Sequence, residues 1–131
     1  MRPIEELTEL LNRDKFAAYN NIRFISMEDG VATVAADLND NHLNGLGIPQ
    51  GGMIFTLADF VLAVLANAEA DAKTVTLDAS INFIKASRGK TLTARGRYVS
   101  RGRTICIANV EVTDDLGVLC AVATFTGFTK Q

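Results

Sequence analysis

Residues 51–68 read GGMIFTLADFVLAVLANA, and the fold turns on them. After Gly51 and Gly52 the run contains no glycine and no proline. It is apolar on every face, interrupted only by Thr56, Asp59 and Asn67. A helix that is apolar all round is buried all round or lies in a membrane. A membrane span is disfavoured, because the run is short and an Asp near its middle costs roughly 2.5–3.5 kcal/mol on insertion scales. A central helix enclosed by other elements is the better reading.

The flanking sequence supplies the enclosure. Upstream, residues 22–27 and 31–36 are apolar runs separated by Glu28-Asp29-Gly30. They read as a hairpin whose Asp-Gly pair takes positive φ at the turn. Downstream, residues 74–84, 91–99, 104–113 and 118–128 are rich in Val, Ile, Thr and Phe. Short segments containing Ser87-Arg88-Gly89-Lys90, Ser100-Arg101-Gly102-Arg103 and Asp114-Asp115-Leu116-Gly117 separate them. That spacing predicts an antiparallel meander of four strands. Residues 4–11 place Leu7, Leu10 and Leu11 at helical spacing after Pro3, which predicts a short amphipathic helix. Residues 37–50 hold three Asn, two Gly and a Pro, and read as a long loop. The expected fold class is α+β, one antiparallel sheet wrapped around one long helix in a single domain over residues 1–131.

Composition sets outer limits. The chain has 131 residues, 13 Lys+Arg against 15 Asp+Glu, and 48% hydrophobic residues. Disorder does not fit that apolar content and low net charge. A nucleic-acid partner is not expected, because no basic excess is available for phosphate contacts. Cys106 and Cys120 lie in strand-like runs and read as two reduced buried thiols. With one His and two distant Cys, no metal site is expected. The acidic N-terminus lacks the apolar segment of a signal peptide, so a cytoplasmic location is the default expectation.

Two features carry chemistry. Asp59 sits among Leu57, Ala58, Phe60 and Val61. A carboxylate there must be paired, hydrogen-bonded, protonated or facing a cleft. It reads equally as a structural carboxylate and as a general base or nucleophile. Gly51 and Gly52 open the helix, where unpaired N–H groups and the helix dipole can polarise a carbonyl. Alone, a glycine pair reads as a tight turn. With Asp59 about two turns further on it gains weight.

These residues meet a family. His42-Leu-Asn44-Gly-Leu-Gly47-Ile-Pro-Gln50-Gly51-Gly52, followed by Leu57-Ala58-Asp59 on the helix, resembles the hotdog-fold acyl-CoA thioesterases. The closest likeness is to the phenylacetate-pathway branch, whose pattern runs approximately N-x-x-G-x-x-H-G-G and then L-A-D. The likeness continues through Asp78-Ala-Ser80-Ile-Asn-Phe83, Ser87-Arg88-Gly89 and Gly102-Arg103-Thr104, covering roughly residues 20–128.

The resemblance implies roles. Asp59 matches the acid that serves as general base or nucleophile. Gly51 matches the glycine whose N–H polarises the thioester carbonyl, with Gly52 beside it in the substrate-binding turn. Asn44 matches a polar residue that helps place the water or the carboxylate, and Thr76 falls near a Ser/Thr that helps hold the water. Arg88, Lys90, Arg101 and Arg103 are candidates for the CoA phosphates, although each cation taken singly reads first as a solvated turn residue. The implied partner is acyl-CoA, with no cofactor. The implied assembly has a homodimer as its minimal active unit, because helix and loop of one site come from different subunits, and points to a homotetramer.

One departure stands out. Gln50 occupies the position of the family His, and a Gln orients by hydrogen bonds but carries no proton near neutral pH. His42 reads first as a loop residue and second as a substrate contact. A Ser-His-Asp triad lacks its G-x-S-x-G elbow. A non-catalytic acyl-CoA-binding module is the alternative function. A hydratase ranks third, since its His-Gly-Gly site is missing the His.

Overall fold

The computed structural model describes residues 1–69 and 73–130. Helices α1 (Ile4–Leu11) and α2 (Lys15–Tyr19) precede the hairpin β1 (Ile22–Glu28) and β2 (Val31–Asp37). A 3-10 turn (Asp40–His42) leads to helix α3 (Gly51–Glu69), then to strands β3 (Lys73–Phe83), β4 (Thr91–Arg101), β5 (Ile105–Asp114) and β6 (Leu119–Lys130). The β1–β2 turn places Asp29 at φ 52° and Gly30 at φ 77°, the positive angles expected of an Asp-Gly hairpin. Helix α2 was not legible as apolar periodicity. Its signal is Asp14, whose carboxylate accepts the Ala17 N–H at 2.9 Å as an N-cap.

The six strands form one antiparallel sheet in the order β1-β2-β4-β5-β6-β3. The expectation of a four-strand meander holds for β4, β5 and β6 and fails for β3. Strand β3 pairs with β6 at the far edge instead of with β4. The connection over residues 84–90 is therefore a crossover along one end of the sheet. It passes β6, where the Ile84 and Lys85 N–H groups donate to the Cys120 carbonyl. It then passes the end of β5, where buried Ser87 donates to Asp114 Oδ2 at 2.7 Å. It reaches β4 where Asp115 Oδ1 accepts from the Lys90 and Thr91 N–H groups at 2.8 and 3.2 Å. These carboxylates satisfy backbone donors that no strand ladder can reach.

Helix α3 packs on one face of the sheet. Eleven of its nineteen residues are buried, including Leu57, Val61, Val64 and Leu65. They meet the inward-facing Val34, Leu92, Ala94, Val110, Val112 and Phe125, with Leu7 and Leu11 of α1 closing the open side. The helix is long and apolar enough to cross a membrane, but this packing accounts for its composition. Truncating a fully buried residue such as Leu57 to Ala costs about 2–5 kcal/mol. Helix and sheet approach closely at Gly96, where a Cβ would lie 2.7 Å from Val61 Cγ1 and 2.6 Å from the Asn109 carbonyl oxygen. Cys106 and Cys120 are both buried free thiols.

Candidate active site

The site is built around the N-terminus of α3. The first four N–H groups of any helix lack intrahelical acceptors. Here Gln50 takes three of them. Its carbonyl accepts from Met53 at 2.9 Å and Ile54 at 3.3 Å, and its side-chain Oε1 accepts from Gly52. The Gly51 N–H has no acceptor among the described residues. It is the one leftover donor at the positive end of a nineteen-residue helix, a position that can stabilise negative charge. Gln50 thus acts as a cap, a task that needs an acceptor and no titrating proton. The ring of Phe83, at the end of β3, covers Gly51, and a Cβ there would meet it at 3.1 Å.

Asp59 lies two turns further along α3 and is half-buried. Thr76, exposed on the edge strand β3, donates its hydroxyl to Asp59 Oδ1 at 2.7 Å. Among the described residues that is the carboxylate's only hydrogen bond, and it orients one oxygen while leaving acceptor capacity on the other. Asp59 and Thr76 are thus brought together, as are Gln50 and Gly52.

Other candidates fall elsewhere. Asn44 Oδ1 accepts from Leu46 N–H at 2.9 Å and Ile48 N–H at 3.3 Å, which closes the loop on itself with the Leu43–Pro49 bridge. Its side-chain oxygen is therefore engaged within the loop and not with Asp59. His42 is buried, its Nδ1 accepts the Asn39 N–H at 3.1 Å, and its carbonyl accepts the Gln50 N–H at 2.8 Å. His42, Gln50 and Gly52 line one cavity of about 330 Å³. The signal for the His42 cap was present in sequence as Asn39 three residues before it, the spacing of a capping box.

The basic turns separate. Arg88 and Lys90 are exposed on the crossover, which leaves Phe83 beside Gly51 and bonds back to Leu38 through the Lys90 carbonyl. They share the α3 N-terminal end with Gly51. The turn holding Arg103 lies at the other end of α3, because neighbouring Arg101 pairs with Glu69 at 2.9 Å and stacks over Tyr98 at 5.2 Å. Within one protomer, Arg103 is not brought to the Gly51 end.

A sheet wrapped on a central helix, with a lone donor at the helix start and a carboxylate at mid-helix, is the arrangement that the resemblance to the hotdog-fold thioesterases implies. The family model for the thioesterase superfamily matches residues 46–121, and the chain belongs to that superfamily. Within it the protein is a PaaI-like member with the hotdog fold. It is 30% identical to the acyl-coenzyme A thioesterase PaaI of Escherichia coli, over 79% of this chain and 74% of that one. A thioesterase structure from Streptococcus pneumoniae, solved with coenzyme A, is 32% identical with a TM-score of 0.82, covering 94% and 96% of the two chains. A Streptococcus mutans structure bound to acetyl CoA is 38% identical with a TM-score of 0.76, covering 86% and 90%.

Proposed function

We propose that the protein hydrolyses acyl-CoA thioesters to the free acid and CoA. The Gly51 N–H polarises the thioester carbonyl, and Asp59, held by Thr76, activates water or attacks the carbonyl carbon directly. The observation that carries this reading is the leftover Gly51 donor at a helix start that Gln50 otherwise caps completely. The two CoA-containing relatives support the substrate class. Arg88 and Lys90, at the same end as Gly51, are the cations proposed to meet the CoA phosphates.

The spacing of the two groups supports a site shared by two chains. Asp59 lies eight positions after Gly51, about 12 Å along a helix axis. Both groups must act on one carbonyl, within about 3 Å of it. One protomer cannot supply both. Strand β3 offers the solution, because its outer edge pairs with no other described strand and it exposes Val75, Leu77 and Phe83. Thr76 touches Asp59 near one end of β3, and Phe83 covers Gly51 at the other. An antiparallel pairing of two β3 edges that sets Thr76 opposite the partner's Phe83 brings Asp59 to the partner's Gly51. A homodimer is then the minimal active unit.

The test is thiol release from acyl-CoA by the purified protein and by Asp59→Asn. The reading requires turnover by the first and its loss in the second with the fold retained. Tight binding of acyl-CoA without thiol release would replace hydrolysis by a binding function.

A further inference from the structure

His42 has one ring nitrogen explained and one that is not. The chain contains a single histidine, and this one is 4% exposed. Its Nδ1 accepts the Asn39 N–H at 3.1 Å, so Nδ1 carries no proton in this arrangement and the ring proton resides on Nε2. Nε2 has no protein partner among the described residues. Among those residues no fully enclosed side-chain nitrogen or oxygen lacks a partner. A partnerless Nε2 is therefore not fully enclosed, and the cavity that His42 lines is the 330 Å³ one at the start of α3. The other walls include Asn20, Asn41, Gln50, Thr56 and the ring of Phe16. The Asn39 N–H holds the ring at Nδ1, and the Gln50 N–H holds the residue's backbone carbonyl.

We propose that His42 is a fixed hydrogen-bond donor of the substrate site, its Nε2–H donating to a neutral oxygen of the bound thioester. This rests on the hydrolase reading and adds a recognition element to it. A nearly buried donor, oriented in advance and left open only to a cavity, favours a ligand that brings an acceptor and penalises one that does not. Beyond the reacting carbonyl, which Gly51 takes, two kinds of neutral oxygen in a CoA thioester are the candidates: a hydroxyl or carbonyl carried by the acyl group, and an amide carbonyl of the pantetheine arm.

The test separates the two ring nitrogens and the two oxygens. His42→Asn reaches as far as Nδ1 and keeps an acceptor for the Asn39 N–H, but has nothing at Nε2. His42→Gln reaches as far as Nε2 and restores a donor there. Each is assayed with octanoyl-CoA, 3-hydroxyoctanoyl-CoA and the octanoyl thioester of mercaptoethanol, which has no amide. His42→Asn is expected to lose about tenfold or more in kcat/KM wherever the oxygen is present, and His42→Gln to recover most of it. A loss confined to the hydroxyacyl substrate assigns the acyl oxygen. A loss on both CoA thioesters but not on the mercaptoethanol thioester assigns the amide. Equal loss on all three with no rescue by Gln, or no loss on any, overturns the proposal. Nitrogen-15 NMR reads the single imidazole directly, and a ring protonated on Nδ1 instead of Nε2 in the free protein also overturns it. If the wild-type protein releases no thiol from any of the three, the hydrolase reading has failed instead, and the NMR result then stands on its own.

Discussion

The Thr76 hydroxyl on the edge strand donates to Asp59 on the central helix at 2.7 Å. This bond crosses from the sheet to the helix and fixes one oxygen of the carboxylate at the middle of α3. A hydrogen bond to a charged group contributes about 1.5–3 kcal/mol. Thr76→Val is therefore expected to lower kcat about tenfold or more with KM little changed, whereas Thr76→Ser, which keeps the hydroxyl, stays near wild type. Asp59→Asn removes the base itself and is expected to cost about 10²–10⁴-fold in kcat. Steady-state kinetics on the variants, with thermal melts to confirm folding, decide this. Full activity in Thr76→Val would remove Thr76 from the site.

A site shared between chains makes a complementation prediction. Gly51→Pro removes the one unpaired N–H at a first helical position, where proline is well tolerated. Asp59→Asn and Gly51→Pro homodimers should each be inactive. In a mixed dimer one site carries both changes and the other carries neither. Co-refolding the two variants in equal amounts should therefore restore about a quarter of wild-type activity. Leu77→Lys, which places a charge on the exposed β3 edge, should give an inactive monomer by light scattering. An active monomer, or no recovery on mixing, contradicts the two-chain site.

The sequence made the central helix legible because residues 51–68 are apolar on all faces, a pattern of an enclosed or membrane helix, and Asp59 near the middle disfavoured the membrane. It made the β1–β2 turn legible through Asp29 and Gly30. The place of β3 was not legible, because a connection over residues 84–90 looks like a hairpin loop from composition alone. What makes it a crossover is Ser87 meeting Asp114 and Lys90 meeting Asp115, contacts more than twenty residues apart. The site divides in the same way. Gly51 and Asp59 stood out as glycines before a helix and an acid among apolar residues. The capping by Gln50 and the loop closure by Asn44 depend on which local N–H groups each side chain reaches, and residue identity alone does not fix that.

Gly96 fixes how closely α3 approaches the sheet. A Cβ there meets the Asn109 carbonyl and the Val61 and Val110 side chains at 2.6–2.9 Å, and the carbonyl belongs to the β4–β5 ladder and cannot yield freely. Gly96→Ala is expected to destabilise the fold by about 1–3 kcal/mol, the cost of overpacking a filled core. Chemical denaturation measures it. Gly51→Ala faces only the rim of the half-exposed Phe83 ring, which can move aside, so its stability should change less.

Asp114 gives the fold an acid-sensitive clasp. Burial pushes its carboxyl pKa up, but hydrogen bonds from the Val118 N–H, the Ser87 hydroxyl and the Leu116 and Arg88 N–H groups outweigh this and hold it below the usual value. A carboxyl whose folded pKa lies below its unfolded pKa binds fewer protons in the native state. Its contribution is present above the unfolded value, about 4, and is lost as pH falls through the lower folded value. Asp114→Asn keeps the shape but removes an acceptor and the charge. Its melting temperature should therefore fall well below wild type at pH 7, and the gap should narrow toward pH 3 as the wild-type carboxyl protonates. The exposed neighbour Asp115, lowered by the Thr91 and Lys90 N–H groups, titrates in both proteins and cancels from the difference. A gap that stays constant from pH 7 to pH 3 would show that the Asp114 charge does not hold the crossover, and that Ser87 and the neighbouring backbone hold it without titrating.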